Sequence, residues 1–281
     1  MGTPDDRTKS DTDPRTMNIR VSRSTLAAVA LAALAGCAPN PAPAPAAKPA
    51  ALTGERILQQ MHDRYAASWY KTLTFVQKTT VAPSQGGPAR VATYYESMAI
   101  PGRLRIDIDL QRGNGQLFAH DSQYVVVNNT VRRTLAGRNP LQVLGYDVYG
   151  QPVERTVAIL RALGFPMMPV REDTWQDRKV WVVGGGPDDM RSSQFWIDQE
   201  RLVFVRLLQP APADPTKTFE ARFDGYIPVG RAWIAPVVRE LVDGKQTLLE
   251  EYDDIRTDRT LSDALFDPTR WASAPHWARS R

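Results

Sequence analysis

Cysteine and histidine are scarce in this chain of 281 residues, which contains one cysteine and three histidines. A single cysteine excludes an intramolecular disulfide and any metal site built from several thiolates. His62, His120 and His276 lie far apart in sequence, and none belongs to a metal-binding or catalytic motif. The sequence also lacks a Gly-x-Ser-x-Gly elbow, a phosphate-binding loop and a His-Glu-x-x-His motif. We therefore expect no cofactor, no metal and no enzymatic activity.

A hydrolase stays an alternative on one condition. Folding would have to bring His120 into a cleft beside an acid and a hydroxyl group, because a nucleophile needs a base that is itself oriented by a third group. The acidic residues near the end of the chain, Glu250, Glu251, Asp253 and Asp254, are a second alternative as a calcium or catalytic site. We interpret them instead as the solvated end of a strand.

Long apolar runs and a strong charge of one sign are missing too. The run from Leu26 to Ala35 is well short of the ~20 residues that a transmembrane helix needs. The chain has 35 basic and 31 acidic residues and a formal net charge of +4. This near balance does not favour a nucleic-acid partner.

The N-terminal residues have the pattern of an export signal. Met17 begins it, Arg20 and Arg23 form a basic start, and the apolar run up to Ala35 follows. We expect translation to start at Met17 and residues 1–36 to be removed as a signal peptide. The sequence Leu34-Ala35-Gly36-Cys37 resembles the lipobox of bacterial lipoproteins, in which the cysteine is lipidated and the chain is cut just before it. The resemblance implies that Cys37 is the lipidation site.

Residues 37–52 follow as a spacer made largely of proline and alanine. Such a composition favours extended polyproline II at ~3.1 Å per residue. We interpret this segment as a stalk that holds a domain away from the membrane. With the lipid anchor, it predicts a protein in the bacterial cell envelope that faces the periplasm. Ala38 after the cysteine, instead of Asp, suits sorting to the outer membrane rather than retention in the inner one.

The domain that follows is predicted to be α+β. Thr53 can cap a helix whose apolar residues recur with a period of 3.6, and Pro152 to Phe165 has the pattern of a second helix. Between and after these helices the apolar residues alternate, which indicates antiparallel strands. The predicted strands are Leu73–Val81, Ala89–Ala99, Arg103–Leu110, Gln116–Asp121, Gln123–Asn128, Val131–Leu135, Val180–Val183, Gln194–Asp198, Leu202–Leu208, Thr218–Ile227, Ala232–Val242 and Gln246–Ile255.

The strand from Arg103 to Leu110 has the clearest alternation. Its aliphatic residues share one face, and Arg103, Arg105, Asp107 and Asp109 share the other. We expect this charged face to be exposed to water, as in an antiparallel sheet with one solvated side.

Several motifs of the second half resemble the outer-membrane lipoprotein-sorting family of LolA-like and LolB-like proteins. They are Gln194–Asp198, Leu202–Arg206, Phe219–Tyr226, Trp233–Pro236, Asp243–Lys245, Glu251–Arg256 and Leu265–Pro268. The resemblance covers residues 53–270 and implies a curved, incomplete β-barrel of about 11–12 antiparallel strands closed by helices. It also implies that acyl chains of lipoproteins or lipids bind in the hollow between sheet and helices. Residues 271–281 form a basic, aromatic tail beyond this domain.

An apolar hollow favours an acyl chain on physical grounds as well, because each buried methylene contributes ~0.8 kcal/mol. The candidate cavity residues are Leu104, Ile106, Ile108, Leu110, Met167, Met168, Trp181, Phe195, Ile197, Phe204 and Trp233. Each of them is also a plausible core residue.

The expected function is binding of acyl chains by a membrane-anchored carrier or acceptor in sorting to the outer membrane, with the lipoprotein-export machinery as a partner. The soluble carrier of the family has no anchor, so Cys37 makes this chain similar to the anchored acceptor, whereas its strand motifs are closer to the carrier. The alternative is a periplasmic sensor or regulatory binding module of the same fold without a transport role.

Overall fold

A computed structural model describes residues 51–83 and 86–279. The predicted signal peptide, Cys37 and nearly all of the predicted stalk lie outside the described residues. Helix α1 (Gly54–Tyr65) begins at Thr53, whose hydroxyl accepts a hydrogen bond from the backbone N–H of Arg56. This is the cap that the sequence predicted.

Fifteen strands and two further helices follow α1 within the described residues. The strands of the first half are β1 (Thr72–Val81), β2 (Arg90–Ala99), β3 (Arg103–Asp109), β4 (Asn114–Ala119), β5 (Ser122–Val127) and β6 (Thr130–Ala136). Helices α2 (Pro140–Gly145) and α3 (Val153–Ala162) come next, separated by a 3-10 turn at Asp147–Tyr149. The second half contains β7 (Val170–Trp175), β8 (Arg178–Val183), β9 (Gln194–Asp198), β10 (Phe204–Ala211), β11 (Asp214–Asp224), β12 (Ile227–Val229), β13 (Ala232–Ile234), β14 (Val237–Val242) and β15 (Lys245–Thr257). Two more 3-10 turns, Asp263–Phe266 and Pro268–Arg270, follow β15.

Thirteen of these strands form one antiparallel sheet. Its order is β6-β5-β4-β3-β2-β1-β15-β14-β11-β10-β9-β8-β7, and β12 pairs with β13 in a separate hairpin. The sheet is not closed, because β6 and β7 lie at opposite ends of this order. The predicted α+β fold with an incomplete antiparallel barrel is confirmed.

The hairpin predicted at the Asp243-Gly244 pair is present in the structure. Asp243 and Gly244 both have positive φ, 47° and 74°, and they connect β14 directly to β15. This is the geometry that an Asp-Gly pair favours in a two-residue hairpin. The strand predicted over Ala232–Val242 was wrong in one respect, since it divides into β13 and β14, which belong to different sheets. Pro236 lies at the division, where its missing N–H cannot support a ladder.

The two faces of the sheet are covered by different parts of the chain. We call the face covered by α1, α2 and α3 the inner face and the opposite one the outer face. Residues opposite each other in an antiparallel pair share a face. Leu104 of β3 lies opposite Met98 of β2 and Phe118 of β4, so these three residues lie on the inner face.

The expectation that the charged face of β3 is exposed to water was wrong for its two central residues, whereas Arg103 and Asp109 at its ends are partly exposed. Arg105 is 1% exposed and Asp107 is fully buried, because residues 264–277 fold back over the outer face of the first half. The Arg105 guanidinium lies 3.7 Å from the centre of the Trp271 ring and donates to both carboxylate oxygens of Asp107, at 2.9 Å each. Nε2 of His276 lies 2.8 Å from Oδ2 of Asp107. We call Arg105, Asp107, Trp271 and His276 the outer cluster.

The predicted tail therefore packs against the sheet. Trp277 donates a hydrogen bond of 2.7 Å from Nε1 to the Ser97 hydroxyl of β2. Gly115 of β4 makes room for this covering segment, since a Cβ at this position would lie 2.8 Å from the Trp271 ring and 2.1 Å from the carbonyl oxygen of Ile106. Residues 271–279 thus contribute to the packing of the domain.

Candidate functional site

The inner face is filled unevenly along the sheet. Over the second half, residues of α1 and α3 join Phe195, Ile197 and Phe204 in the hydrophobic core, and these three side chains are fully buried. Over the first half and the centre, α2 and the turn after it provide the cover. A cavity of about 480 Å³ remains there, within the range of about 300–1,000 Å³ that is typical of ligand sites.

Apolar side chains form much of the cavity wall. Six of them come from five strands on the two sides of the central pair β1 and β15: Met98, Leu104, Ile106, Phe118, Phe223 and Val238. Ile108 of β3 and Leu248 of β15 extend this wall toward the surface, where both are partly exposed. An alkyl chain that enters such a space loses its contact with water, which favours its binding.

The covering helix is fixed at both ends. Asn139 caps α2, because its side-chain oxygen accepts a hydrogen bond of 2.9 Å from the N–H of Leu141. After the helix, buried Asp147 pairs with Arg138 and accepts a hydrogen bond of 2.8 Å from the N–H of Gly102. Burial raises the pKa of Asp147 to about 6, although Arg138 opposes this shift. Gln142, in the middle of α2, is thereby held over the cavity.

Three carboxylic side chains also face the cavity: Glu96 of β2, Glu240 of β14 and Glu250 of β15. Burial raises the pKa of Glu96 well above its usual value, and the nearby charge of Glu250 raises it further. Burial raises the pKa of Glu250 to about 7, against the effect of a 2.7 Å hydrogen bond from the Tyr252 hydroxyl. Burial also raises the pKa of Glu240. The site is therefore an apolar cavity with a poorly solvated acidic region.

The structure brings three of the predicted site residues into this cavity: Leu104, Ile106 and Ile108. Leu110 follows β3 and lines a shallower surface groove that it shares with Ile108. Met167 is buried, and its carbonyl accepts a hydrogen bond of 2.9 Å from the N–H of Gly54 at the start of α1.

The other predicted site residues lie elsewhere in the described chain. Met168 is 48% exposed, and Phe195, Ile197 and Phe204 belong to the filled half of the inner face. Trp181 is partly buried and lies opposite Ile197 in the sheet. Trp233 of β13 donates a hydrogen bond of 3.0 Å to the hydroxyl of Tyr65 at the end of α1. Cys37 lies outside the described residues.

Sequence reasoning missed the acidic region. Glu250 was assigned to the solvated end of a strand, but this side chain points toward the cavity and its neighbour Glu251 pairs with exposed Lys78. A signal was present in β2, because Glu96 alternates with Tyr94 and Met98 and must share their face. A charged residue in the apolar series of a strand is a sign of a polar site.

The catalytic alternative does not gain support from the described residues. His120 is exposed in a turn, where its carbonyl oxygen accepts a hydrogen bond of 3.3 Å from the Ser122 hydroxyl. No three histidine, cysteine or carboxylate side chains within residues 51–83 and 86–279 come close enough together to hold a metal ion. No helix in that part of the chain is long and apolar enough to cross a membrane.

Three solved structures have folds similar to that of this chain. A DUF1329 family protein from Desulfovibrio piger has a TM-score of 0.51 and 12% identity, over 76% of this chain and 95% of its own. A domain of an outer membrane lipoprotein-sorting protein from Vibrio parahaemolyticus has a TM-score of 0.51 and 10% identity, over 78% of this chain and 97% of its own. The LolA superfamily protein NE2245 from Nitrosomonas europaea has a TM-score of 0.49 and 11% identity, over 77% and 98% of the two chains.

At these identities the first two comparisons establish the fold, which is LolA/LolB-like as the sequence motifs predicted. No family model matches the chain, and no curated protein matches it.

Proposed function

We propose that this protein is a membrane-anchored periplasmic lipoprotein that binds acyl chains of lipoproteins or lipids and acts as a carrier or acceptor in sorting to the outer membrane. The observation that carries the proposal is the cavity of about 480 Å³ between the inner face and α2, with its wall of Leu104, Ile106 and Phe118. The LolA/LolB-like fold supports the same class of function. In this proposal the protein binds and does not catalyse.

The apolar wall favours binding of an alkyl chain, because contact between the two removes apolar surface of both from water. Each buried methylene is worth ~0.8 kcal/mol before the cost of ordering the ligand. Leu104 and Phe118 lie opposite each other on the inner face, so together they give an alkyl chain a continuous apolar surface to lie along. In the filled half of the inner face, the described side chains already occupy this space.

The test is to fill the cavity by substitution. Ile106→Trp adds a large side chain to the wall, and Val91→Trp adds the same side chain at a position that is 59% exposed on neighbouring β2. We expect uptake of a fluorescent fatty acid by the wild type and by Val91→Trp, and an affinity at least tenfold lower for Ile106→Trp. Equal uptake by both variants, or no uptake by the wild type, would contradict the proposal.

The anchor is tested separately at Cys37. Because the thiol carries the proposed lipid, Cys37→Ser should remain uncleaved at this site and leave the membrane fraction. Membrane fractionation and the mass of the N-terminal peptide measure this result. Wild-type amounts of Cys37→Ser in the membrane fraction would show that another feature holds the protein there.

A further inference from the structure

The acidic region of the cavity has too few partners to be explained by the fold. None of the described residues donates a hydrogen bond to the carboxylate of Glu96 or Glu240, and Glu96 is only 6% exposed. Glu250, which is partly exposed, accepts a hydrogen bond from the Tyr252 hydroxyl and is also within reach of the Gln77 side chain. Buried carboxylates in folded proteins normally have a cation or several donors beside them.

Buried amide oxygens in the same cavity add a second, independent observation. Gln77 of β1 is 1% exposed and Gln142 of α2 is 2% exposed, and both line the cavity. Oε1 of each side chain has no hydrogen-bond partner among the described residues, and neither has Nε2 of Gln142. Buried polar atoms of this kind are rare without a water or a ligand, and each costs about 1–3 kcal/mol when it is left without a partner.

The basic groups around the cavity do not balance this acidic region. Among the described residues that line the cavity, Arg90 is the only basic one, and it is exposed at the start of β2. The inner part of the site therefore has carboxylates on the sheet and faces them with the Gln142 amide on α2, which offers one acceptor and one donor group.

We propose that the cavity selects amphiphiles that carry a primary ammonium group, with the ammonium held by Glu96, Glu250 and the Gln77 and Gln142 amide oxygens and the alkyl chain along Leu104 and Ile106. An ammonium group has three donors and no acceptor, which matches a site that offers acceptors. Its positive charge offsets the buried negative charge, and the apolar wall takes the chain. This inference rests on the proposed function, because it assigns the ligand class of the same cavity.

The experiment compares three ligands with the same ten-carbon chain: decylamine, decanol and decanoate. Displacement of a neutral fluorescent alkyl probe from the full-length protein at pH 7.5 gives the three affinities. We expect decylamine to bind at least tenfold more tightly than decanol. We expect decanoate to bind most weakly, because its carboxylate would lie beside the carboxyl groups of Glu96 and Glu250 instead of beside a cation. An affinity for decylamine equal to or below that for decanol would overturn the inference.

Variants link the preference to the acidic region. We expect the ratio of decylamine to decanol affinity to fall at least fivefold in Glu96→Gln and in Glu250→Gln, since each removes a carboxyl group that can ionise beside the ammonium group. The matched control is Glu172→Gln at an exposed position of β7, which should keep the wild-type ratio. Circular dichroism confirms that each variant is folded. An unchanged ratio in both cavity variants would also overturn the inference.

The outcomes separate this inference from the function on which it rests. Binding of decanol without a preference for decylamine keeps the acyl-chain cavity and removes only the ammonium site. Failure of all three ligands to bind removes both.

Two sources share the proposed chemistry, namely free alkylamine lipids and the amino terminus of a diacylated cysteine before it is acylated. A synthetic S-diacylglyceryl cysteine peptide with a free amino group tests the second source, and its N-acetylated form is the control. Stronger binding of the free amine identifies the lipoprotein terminus as a ligand. Equal binding of the two peptides beside a clear decylamine preference assigns the site to alkylamine lipids.

Discussion

The neighbouring strands β2 and β3 each bury a carboxylate, on opposite faces of the sheet, and the two carboxylates differ in their hydrogen-bond partners. On the outer face, Asp107 of β3 has a bidentate partner in Arg105 and a further contact with His276. On the inner face, Glu96 of β2 has no hydrogen-bond partner among the described residues. The fold itself supplies the partners of Asp107, whereas the described residues supply no hydrogen-bond donor to Glu96.

The directions of the pKa shifts express the same difference. Burial alone would raise both values, but hydrogen bonds from His276 and Arg105 lower the pKa of Asp107 below its usual range. For Glu96, burial and the charge of Glu250 act together and raise the pKa. The outer cluster therefore favours the ionised state in the folded protein, and the cavity disfavours it.

Breaking the outer cluster has the largest expected effect. Asp107→Leu leaves the Arg105 guanidinium buried without a counter-ion, which costs about 3–5 kcal/mol of unfolding free energy. Urea denaturation at pH 7.5 measures this loss. The double variant Arg105→Met/Asp107→Leu removes both charges and should recover most of the stability. A loss below about 1 kcal/mol in Asp107→Leu would mean that water reaches the cluster.

Removing a cavity carboxylate should act in the opposite direction. The pKa of Glu250 rises from 4.5 to about 7 in the folded protein, so the folded state holds this proton more tightly than the unfolded state. The stabilisation is complete below about pH 4.5 and is lost as the pH rises through 7. Glu250→Gln should therefore exceed the wild type in stability by on the order of 2 kcal/mol at pH 7.5 and differ little at pH 4.5.

The measurement is the urea midpoint of wild type and Glu250→Gln, without ligand, at both pH values. Glu172→Gln again serves as the control, because this exposed carboxylate should change stability at neither pH. If Glu250→Gln were less stable than the wild type at pH 7.5, Glu250 would have a structural partner, and the contrast with Asp107 would fail.

An exposed ion pair should contribute much less to stability than the buried pair of Arg105 and Asp107. Lys78 of β1 and Glu251 of β15 lie 2.8 Å apart, but their side chains are 57% and 44% exposed. Water already solvates both charges, so pairing them adds little. We expect Lys78→Ala to leave the urea midpoint unchanged within error. A clear decrease would show that this pair helps to hold the first and last strands of the sheet together.

The local elements of the fold were predictable from the sequence, because short signals determine them. Thr53 caps α1, Asp243-Gly244 makes a hairpin, and Pro152 starts α3. Strand β7 was not predicted, since Arg171, Glu172 and Asp173 give it no apolar period, and its place at the sheet edge requires none. Helix α2 was missed because its six residues are too few for a helical period.

The site was predictable only in part, because alternation shows which residues share a face and not what covers that face. Leu104, Ile106 and Ile108 were therefore placed together correctly, and they line the cavity. Arg105 and Asp107 alternate as a solvated face would, yet residues more than 150 positions later cover them. The burial of Phe195 and Phe204 beneath α1 and α3 likewise depends on contacts between residues that are distant in sequence.

The first and last strands in chain order, β1 and β15, pair with each other near the centre of the sheet. Each half of the sheet is a series of local hairpins that can form early, but this central pair needs contacts between distant parts of the chain, which form slowly. The cavity spans the junction, since Gln77 belongs to β1 and Glu250 to β15. A chain that has not yet acquired β15 therefore has two sheet halves with open edges, and the cavity is complete only after the last strand has paired.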